Sequence, residues 1–464
     1  MPNKAARDHY GLLGFQGAAR REKVASILSL AGIACICLGL FWTACYLYFH
    51  RAELALVFVI LTGVGVLALQ RSRRTDGASL LIVAHGVFLA VCAVAVIEPP
   101  VGNVPRSVHL FLLPLAAGAA FTFEARERYG SLIFPLICLL AFAGFAVGIL
   151  DSLAPGLSPP LEVRGWGAWA NTLLAMSLLA AIFTIYRRDI GKQLRLEREL
   201  GRAVRNGEIA VHYQPQVGGG GEVLGVEALV RWRHPSGVLL PPVAFIPLAE
   251  ESGLIRDLGL EVLRQACELL KQWSGSPPTR HWRVAVNISP IQLQDPGFVA
   301  AATTVIQNAG IDATRLEFEL TESALSHDTR AVVETMKSIE VLGVTWALDD
   351  FGTGYSSLST LRTLPVRKLK IDRQFVEAAA SQESARQLLG KIIEISQVMG
   401  MSALAEGVET PAQHALLLGL GCELFQGYLF GRPMPADALA DWIARGGARA
   451  GGNDDTEVAT VEHA

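Results

Sequence analysis

Six apolar segments, separated by short charged or proline-rich connections, fill the first 190 residues of this 464-residue chain. A helix needs about 20 consecutive apolar residues to cross a bilayer. The predicted spans are Ala25–Phe49, Leu54–Leu69, Ala78–Ile97, Val108–Phe123, Ser131–Leu150 and Ala168–Tyr186, the second and fourth being short. They explain an apolar fraction of 51% and a mean hydropathy of +0.36, both high for a soluble chain. The first is too long for a signal-peptide core, and no obvious cleavage site precedes the next. Residues 1–186 are therefore expected to form an α-helical membrane bundle, a candidate sensor module. Pro135 should kink or loosen the fifth span.

Loop charge predicts orientation. Residues 1–24 carry Lys4, Arg7, Arg20, Arg21 and Lys23, and later connections carry Arg71, Arg73, Arg74, Arg126 and Arg128. Arg187, Arg188 and Lys192 follow the sixth span. The opposite loops, Glu98–Arg106 and Asp151–Arg164, hold fewer basic residues. The bias places the N-terminus and residues 187–464 in the cytoplasm, with an even number of spans between. The net charge of −3 gives no reason to expect DNA or RNA binding.

Of seven cysteines, five lie in apolar runs and none forms a C-x-x-C pair, so neither a zinc knuckle nor a disulfide framework is indicated. His85 and His109 fall within or beside spans. Their depths differ by roughly 15 Å at helical rise, too far to share one metal, so packing or interfacial roles are expected.

Residues 187–206 are charged, with Ile190, Leu194, Leu196, Leu200 and Val204 near helical spacing. A connector helix is expected, either a transmission rod pairing with its copy or a solvated linker with one packed face. Beyond it, strand patterns are predicted at Ala210–Val217, Val223–Trp232, Arg283–Ser289, Leu316–Thr321, Val344–Asp350, Arg367–Asp372, Ser402–Glu406 and Glu423–Tyr428. Helical patterns lie between most of them, at Gly253–Trp273, Pro296–Ala309, Ser323–Leu342, Ser384–Met399 and Pro411–Leu420. This alternation over residues 207–445 predicts a (β/α)8 TIM-like barrel. The glycines at 218–221 leave no room for a helix between the first two strands. A hairpin there makes one strand antiparallel. Residues 446–464 read as a disordered tail.

Chemistry in such barrels gathers where strands end. Asp349 and Asp350 adjoin a β-type run and precede a glycine-punctuated loop, F-G-T-G-Y. Neighbouring side chains on a strand face opposite ways, so both aspartates reach one site only where the strand is ending. Paired carboxylates there suit a hard cation, although a helix cap or loop ion pair uses the same residues. Asn287, Glu319, Lys370, Asp372, Glu406 and Gln426 also stand at or near strand ends. Glu227 lies inside an apolar strand, an expensive charge to bury without a cation or partner. Arg231, four residues on, shares its face and could grip a phosphate.

The run Glu227-Ala228-Leu229-Val230-Arg231-Trp232 resembles the signature of EAL-domain cyclic di-GMP phosphodiesterases. The resemblance continues through Tyr213-Gln214-Pro215, Val286-Asn287-Ile288-Ser289, Glu319-Leu320-Thr321-Glu322-Ser323, the Asp349–Leu358 stretch, Leu369-Lys370-Ile371-Asp372, Ala405 to Thr410 and Gln426-Gly427-Tyr428. It covers residues of about 200–440 in order. It implies a barrel with one antiparallel strand that hydrolyses cyclic di-GMP to linear pGpG with Mg²⁺ or Mn²⁺. By this resemblance Glu227, Asn287, Glu319 and Asp349 hold one cation. Asp350 and Glu406 contribute to a second, with Asp349 shared. Lys370 contacts or orients the attacking water, while Asp372, Glu409 and Gln426 support the metal or water shell. Glu322 holds the loop from Phe351 to Ser357, which shapes the metal site and a dimer interface. Gln214 and Arg231 meet the substrate. Nearby carboxylates favour a protonated Lys370, so charge balance or water orientation suits it better than proton abstraction.

The expectation is a phosphodiesterase in a bacterial inner membrane, working as a homodimer and regulated by its membrane half. The alternative is a receptor that binds the dinucleotide without cleaving it. No cyclase motif of the G-G-D-E-F type is present.

Overall fold

The structure is a computed structural model that describes residues 5–72, 77–100, 103–123, 127–149, 161–325, 329–351 and 358–446. It divides after Arg195 into two compact units. The tail beyond 446 and the loop 352–357 lie outside the described residues.

The first unit is helical: α1 (Ala5–Tyr48), α2 (Ala52–Arg71), α3 (Gly77–Ile97), α4 (Leu112–Thr122), α5 (Phe134–Val147) and α6 (Leu161–Asn206), the last continuing into the second unit. Among the described residues five stretches are long and apolar enough to cross a membrane: Val24–Tyr48, Ala52–Arg71, Leu80–Ile97, Tyr129–Val147 and Val163–Asn206. The expected fourth span is shorter. It forms a 3₁₀ turn, Val108–Phe111, leading into α4, and the chain turns extended at Phe123. Val108–Thr122 covers roughly 22 Å at helical rise, less than the hydrocarbon thickness of about 30 Å.

Leu40, Leu56, Leu89, Leu136, Leu140 and Leu173 are all exposed, a surface that water would penalise and lipid would not. Helices α1 and α2 approach closely at glycines: a Cβ on Gly65 would sit 2.8 Å from the Gly32 carbonyl oxygen. Pro135 follows a wide π turn at Tyr129–Ile133, which loosens the start of α5 as expected of a residue without an N–H. His85 makes hydrogen-bond contacts with the Leu81 carbonyl (2.7 Å) and the Tyr129 hydroxyl (2.8 Å). His109 is buried and stacks on Phe142. Neither belongs to a metal-holding group among the described residues.

Among the described residues the second unit has ten strands: β1 (Ile209–Gly218), β2 (Val223–Arg233), β3 (Leu239–Leu240), β4 (Arg283–Asn287), β5 (Leu316–Thr321), β6 (Thr345–Phe351), β7 (Val366–Ile371), β8 (Ser402–Ala405), β9 (Leu424–Gln426) and β10 (Met434–Pro435). Eight of them close into a barrel through the β1–β2 pairing, with β3 and β10 as short rim additions. Within the barrel β1 runs antiparallel to β2 and β9 and the other neighbours are parallel, while the rim strands β10 and β3 pair antiparallel to β1 and β2. The helices are α7 (Ile246–Ser252), α8 (Ile255–Trp273), α9 (Pro290–Leu293), α10 (Phe298–Ala309), α11 (Thr329–Glu340), α12 (Leu358–Leu361), α13 (Arg373–Ser381), α14 (Glu383–Val398), α15 (Pro411–Gly419) and α16 (Ala436–Ala444). The helix predicted over Ser323–Leu342 instead begins as a 3₁₀ turn, Glu322–Leu325, and resumes as α11.

Strand alternation sorts the barrel. Phe318, Leu320, Trp346, Leu348, Leu369 and Ile371 join one apolar core with residues of the helices. The Trp346 indole N–H reaches out to the Met336 carbonyl of α11 at 3.0 Å. The alternate residues of the same strands, Glu317, Glu319, Asp349, Lys368 and Lys370, face the barrel interior. The last turns of α6 belong to this unit and pack Leu200 and Ala203 against Ile209, Trp232, Phe245 and Ala249.

Candidate active site

The interior carries charge in two layers because the charged residues recur two apart. On β5 these are Glu317 and Glu319, on β7 Lys368 and Lys370. In the deeper layer the Lys368 ammonium donates to Glu317 Oε1 (2.5 Å) and Gln216 Oε1 (3.2 Å). Small inward residues, Ala285 and Ala347, make room beside them; these pair in register with Glu317 and Lys368.

The upper layer lies nearer the carboxyl ends of the parallel strands. Lys370 Nζ sits 2.6 Å from Glu319 Oε2, 2.8 Å from Glu406 Oε1, 3.2 Å from Asp349 Oδ2 and 3.6 Å from Glu227 Oε1. It is 1% exposed and Glu319 fully buried. Asn287 donates through Nδ2 to Glu227 Oε1 at 2.7 Å. Gln426 Nε2 donates to Glu227 Oε2 (2.5 Å) and Gln214 Oε1 (3.1 Å). Gln214 in turn donates to the Gly431 carbonyl. Gln216 Nε2 donates to Gln426 Oε1 at 3.0 Å, so one hydrogen-bonded chain links the two layers.

Four carboxylates around one ammonium is an unbalanced buried charge. Burial alone would lower the Lys370 pKa, but Asp349, Glu227, Glu319 and Glu406 outweigh it and hold the pKa well above the usual lysine range. Burial drives Glu319 well above its ordinary range, opposed by Lys370 and reinforced by Glu227 and Asp349. The same causes raise Asp349, and Glu406 to about 8. Glu227 is the exception. Burial pushes it up, yet Lys370 and the hydrogen bonds from Gln426 and Asn287 bring it below the usual range. Glu227 thus keeps its charge, while Glu319 holds one oxygen, Oε1, buried with no hydrogen-bond partner among the described residues.

Carboxylate oxygens of Glu227, Glu319 and Asp349 all lie within 4.8 Å of one another. An all-oxygen donor set with excess negative charge and an unpaired ligand atom fits a hard divalent cation. Such a charge would also draw the raised carboxyl pKa values back down.

One residue before β6 stops at Phe351, Asp350 stands at the end of its strand. The backbone takes φ 56° there, and the β6–β7 register slips between Leu348 and Phe351. This bulge at the strand's end changes the facing of the second aspartate. The Asp350 N–H donates to Asp349 Oδ1 at 2.9 Å. Burial, Asp349 and Asp372 raise its carboxyl to about 6.

Other expected residues stand outside the Lys370 cluster. Asp372 Oδ1 accepts from the Gln374 N–H and caps α13. Glu409 pairs with Arg373 at 2.9 Å. Arg231 is half-buried and donates to the Val230 carbonyl. Glu322 is buried beside the end of β5. Sequence reasoning missed Glu317, Lys368, Gln216 and Arg373. The first three were signalled by spacing, each lying two residues from a residue already singled out.

The pattern of the EAL domain matches residues 197–433. The chain belongs to the EAL-domain family. This EAL protein is 39% identical over 345 residues to an "Uncharacterized signaling protein" of Caulobacter vibrioides, covering 72% of this chain and 42% of the relative. It is 42% identical over 253 residues to "Cyclic di-GMP phosphodiesterase NbdA" of Pseudomonas aeruginosa, covering 54% and 32%. It spans less than half the length of these curated relatives. Among solved structures, the EAL barrel resembles "PaMucR Phosphodiesterase, c-di-GMP complex" with a TM-score of 0.51 and 38% identity, covering 53% of this chain and 99% of that one.

Proposed function

We propose that this chain is a membrane-anchored phosphodiesterase that hydrolyses cyclic di-GMP to linear pGpG, using two divalent cations, Mg²⁺ or Mn²⁺. The observation that carries the reading is the convergence of Glu227, Glu319, Asp349 and Glu406 around Lys370, with Glu319 Oε1 unpaired. Relatives that bear the names of cyclic di-GMP phosphodiesterases support the choice of substrate.

Glu227, Asn287, Glu319 and Asp349 would hold one cation, and Asp350 and Glu406 a second, with Asp349 shared. When bound, the cations make water more acidic and offset charge on the departing oxygen. Lys370 stays protonated among its carboxylates, so it balances charge and orients water rather than removing a proton. Gln426 and Asn287 hold Glu227 in its charged form and fix its rotamer. Arg231 and Gln214 are the donors for the substrate's phosphate and base edges. Asp372 and Glu409 act at a distance, by fixing α13 and Arg373 at the rim.

The apolar helices support an anchor, and loop charge favours the inner membrane with the N-terminus and the barrel in the cytoplasm. A homodimer and control of the barrel by the membrane half complete the proposal. The test is incubation of the full chain with cyclic di-GMP and Mn²⁺, followed by chromatography of products. Release of pGpG is expected, and Glu227→Ala should abolish turnover with the circular dichroism unchanged. Near-native turnover in that variant would refute the metal assignment. Tight binding of dinucleotide without cleavage by the unaltered chain would instead support the receptor.

A further inference from the structure

We propose that the N-terminal bundle binds one small amphiphile, a single aliphatic chain with a hydroxyl head, in a slot that ends at Glu98. The inference rests on reading this half as membrane-embedded and is separate from the phosphodiesterase reading.

The slot lies among α1, α2, α3, α4 and α6, is partly open to its surroundings, and has a cavity volume of about 150 Å³, narrow enough to suit a single chain rather than a bulky ligand. Along α1 it runs from Ile27 to Trp42, roughly 22 Å at helical rise. An extended chain advances about 1.2 Å per bond, so roughly 18 carbons fit in single file. The walls are aliphatic and aromatic, and Gly118 and Ala119 leave space beside α4. A second, smaller cavity adjoins the slot: it shares Trp42, Phe58, Val94, Val108 and Asn171 as lining and is lined also by Tyr46 and Glu98.

That end is polar. Glu98 is only 7% exposed, and its Oε2 has no hydrogen-bond partner among the described residues. A buried acceptor left unpaired is costly, and the cost disappears when a donor arrives. The Asn171 amide donates to Ser107 Oγ at 3.0 Å. The guanidinium of Arg106 donates to the carbonyls of Glu98 and Phe145, and that of Arg164 to the carbonyl of Pro99. A hydroxyl supplies a donor to the one Glu98 oxygen, Oε2, that has none among the described residues. An alkane would leave the oxygen unpaired.

The test uses the full chain in lipid nanodiscs and hexadecan-1-ol carrying a diazirine at the far carbon. After photolysis, labelled peptides are mapped by mass spectrometry. Saturable labelling is expected around Ile27, Leu80 and Ile182, at the end of the slot away from Glu98. Unlabelled hexadecan-1-ol should compete about tenfold better than hexadecane, the worth of one hydrogen bond to a charged group. In Gly118→Leu a Cβ would lie 3.6 Å from Ile182 Cδ1 and 3.9 Å from Ile27 Cγ2. The first carbon fits there and the rest fills the slot, so most labelling should disappear. If that variant does not assemble, Glu98→Met decides alone, because the preference for alcohol over alkane must vanish in it. Unsaturable labelling around the lipid-facing Leu40 and Leu136, equal competition by hexadecane, or full labelling of Gly118→Leu would overturn the proposal. None of these readouts depends on dinucleotide hydrolysis.

Discussion

Lys370 has the least replaceable side chain in the barrel, because it is the cation among four buried carboxyl groups. Lys370→Met keeps the volume and removes the charge. Without divalent cations it should destabilise the barrel by about 3–5 kcal/mol, the cost of stripping a partner from a buried ion cluster. Added Mn²⁺ should restore much of this stability while turnover stays low. Urea unfolding with EDTA and with Mn²⁺ measures the difference, and equal midpoints for the variant and the unaltered chain in EDTA would contradict the argument. Glu227 and Glu319 show why residue types alone could not assign states. Both are glutamates facing Lys370, but only Glu227 receives amide hydrogen bonds from Asn287 and Gln426. Those donors come from β4 and β9, far away in the chain, and only closure of the barrel brings them together.

At the scale of the element, the strands were legible from the alternation of apolar residues, and most boundaries fall within a residue or two of the structure. The misses have local causes. Strands β3 and β10 are two residues each, too short to show a period. The bulge at Asp350 depends on pairing with β7, which no local pattern reports. The deeper ionic layer was legible in principle, since Lys368 and Glu317 repeat the spacing of Lys370 and Glu319, but singly each reads as a surface charge. The layer is expected to behave as a unit. Lys368→Met should cost about 3 kcal/mol by leaving Glu317 buried and unpaired. The double variant Lys368→Met with Glu317→Leu should cost less than the single one, and a double-mutant cycle in urea checks the sign.

The whole barrel inherits a pH dependence from its excess of acid groups. Glu406 moves from an ordinary 4.5 to about 8 on folding, and burial also raises Asp350 and Glu319. The folded state therefore binds more protons than the unfolded state between these values, so stability falls as pH rises through that window. Glu227 has the opposite sign, but its window lies below 4.5. The raised Lys370 acts only above 10.5. In EDTA, hydrogen-exchange protection of β5–β7 should decline from pH 5 to pH 8, and Glu406→Gln should flatten the decline. On the proposed metal reading Mn²⁺ would displace protons from these carboxyl groups, so its stabilising effect should be larger at pH 8 than at pH 6. A flat profile in the unaltered chain would show that the carboxyl groups are not carrying the protons assigned to them.

The reversed first strand has a geometric consequence. Ile209 pairs with Trp232, which lies at the carboxyl end of β2. The polypeptide therefore enters this barrel at the end that holds the Lys370 cluster, where a wholly parallel one would be entered from the opposite floor. The final turns of α6 rest on that rim, against Trp232 and Phe245. Those turns bear on β2, the strand that carries Glu227 and Arg231, at the same end of the barrel as the Lys370 cluster.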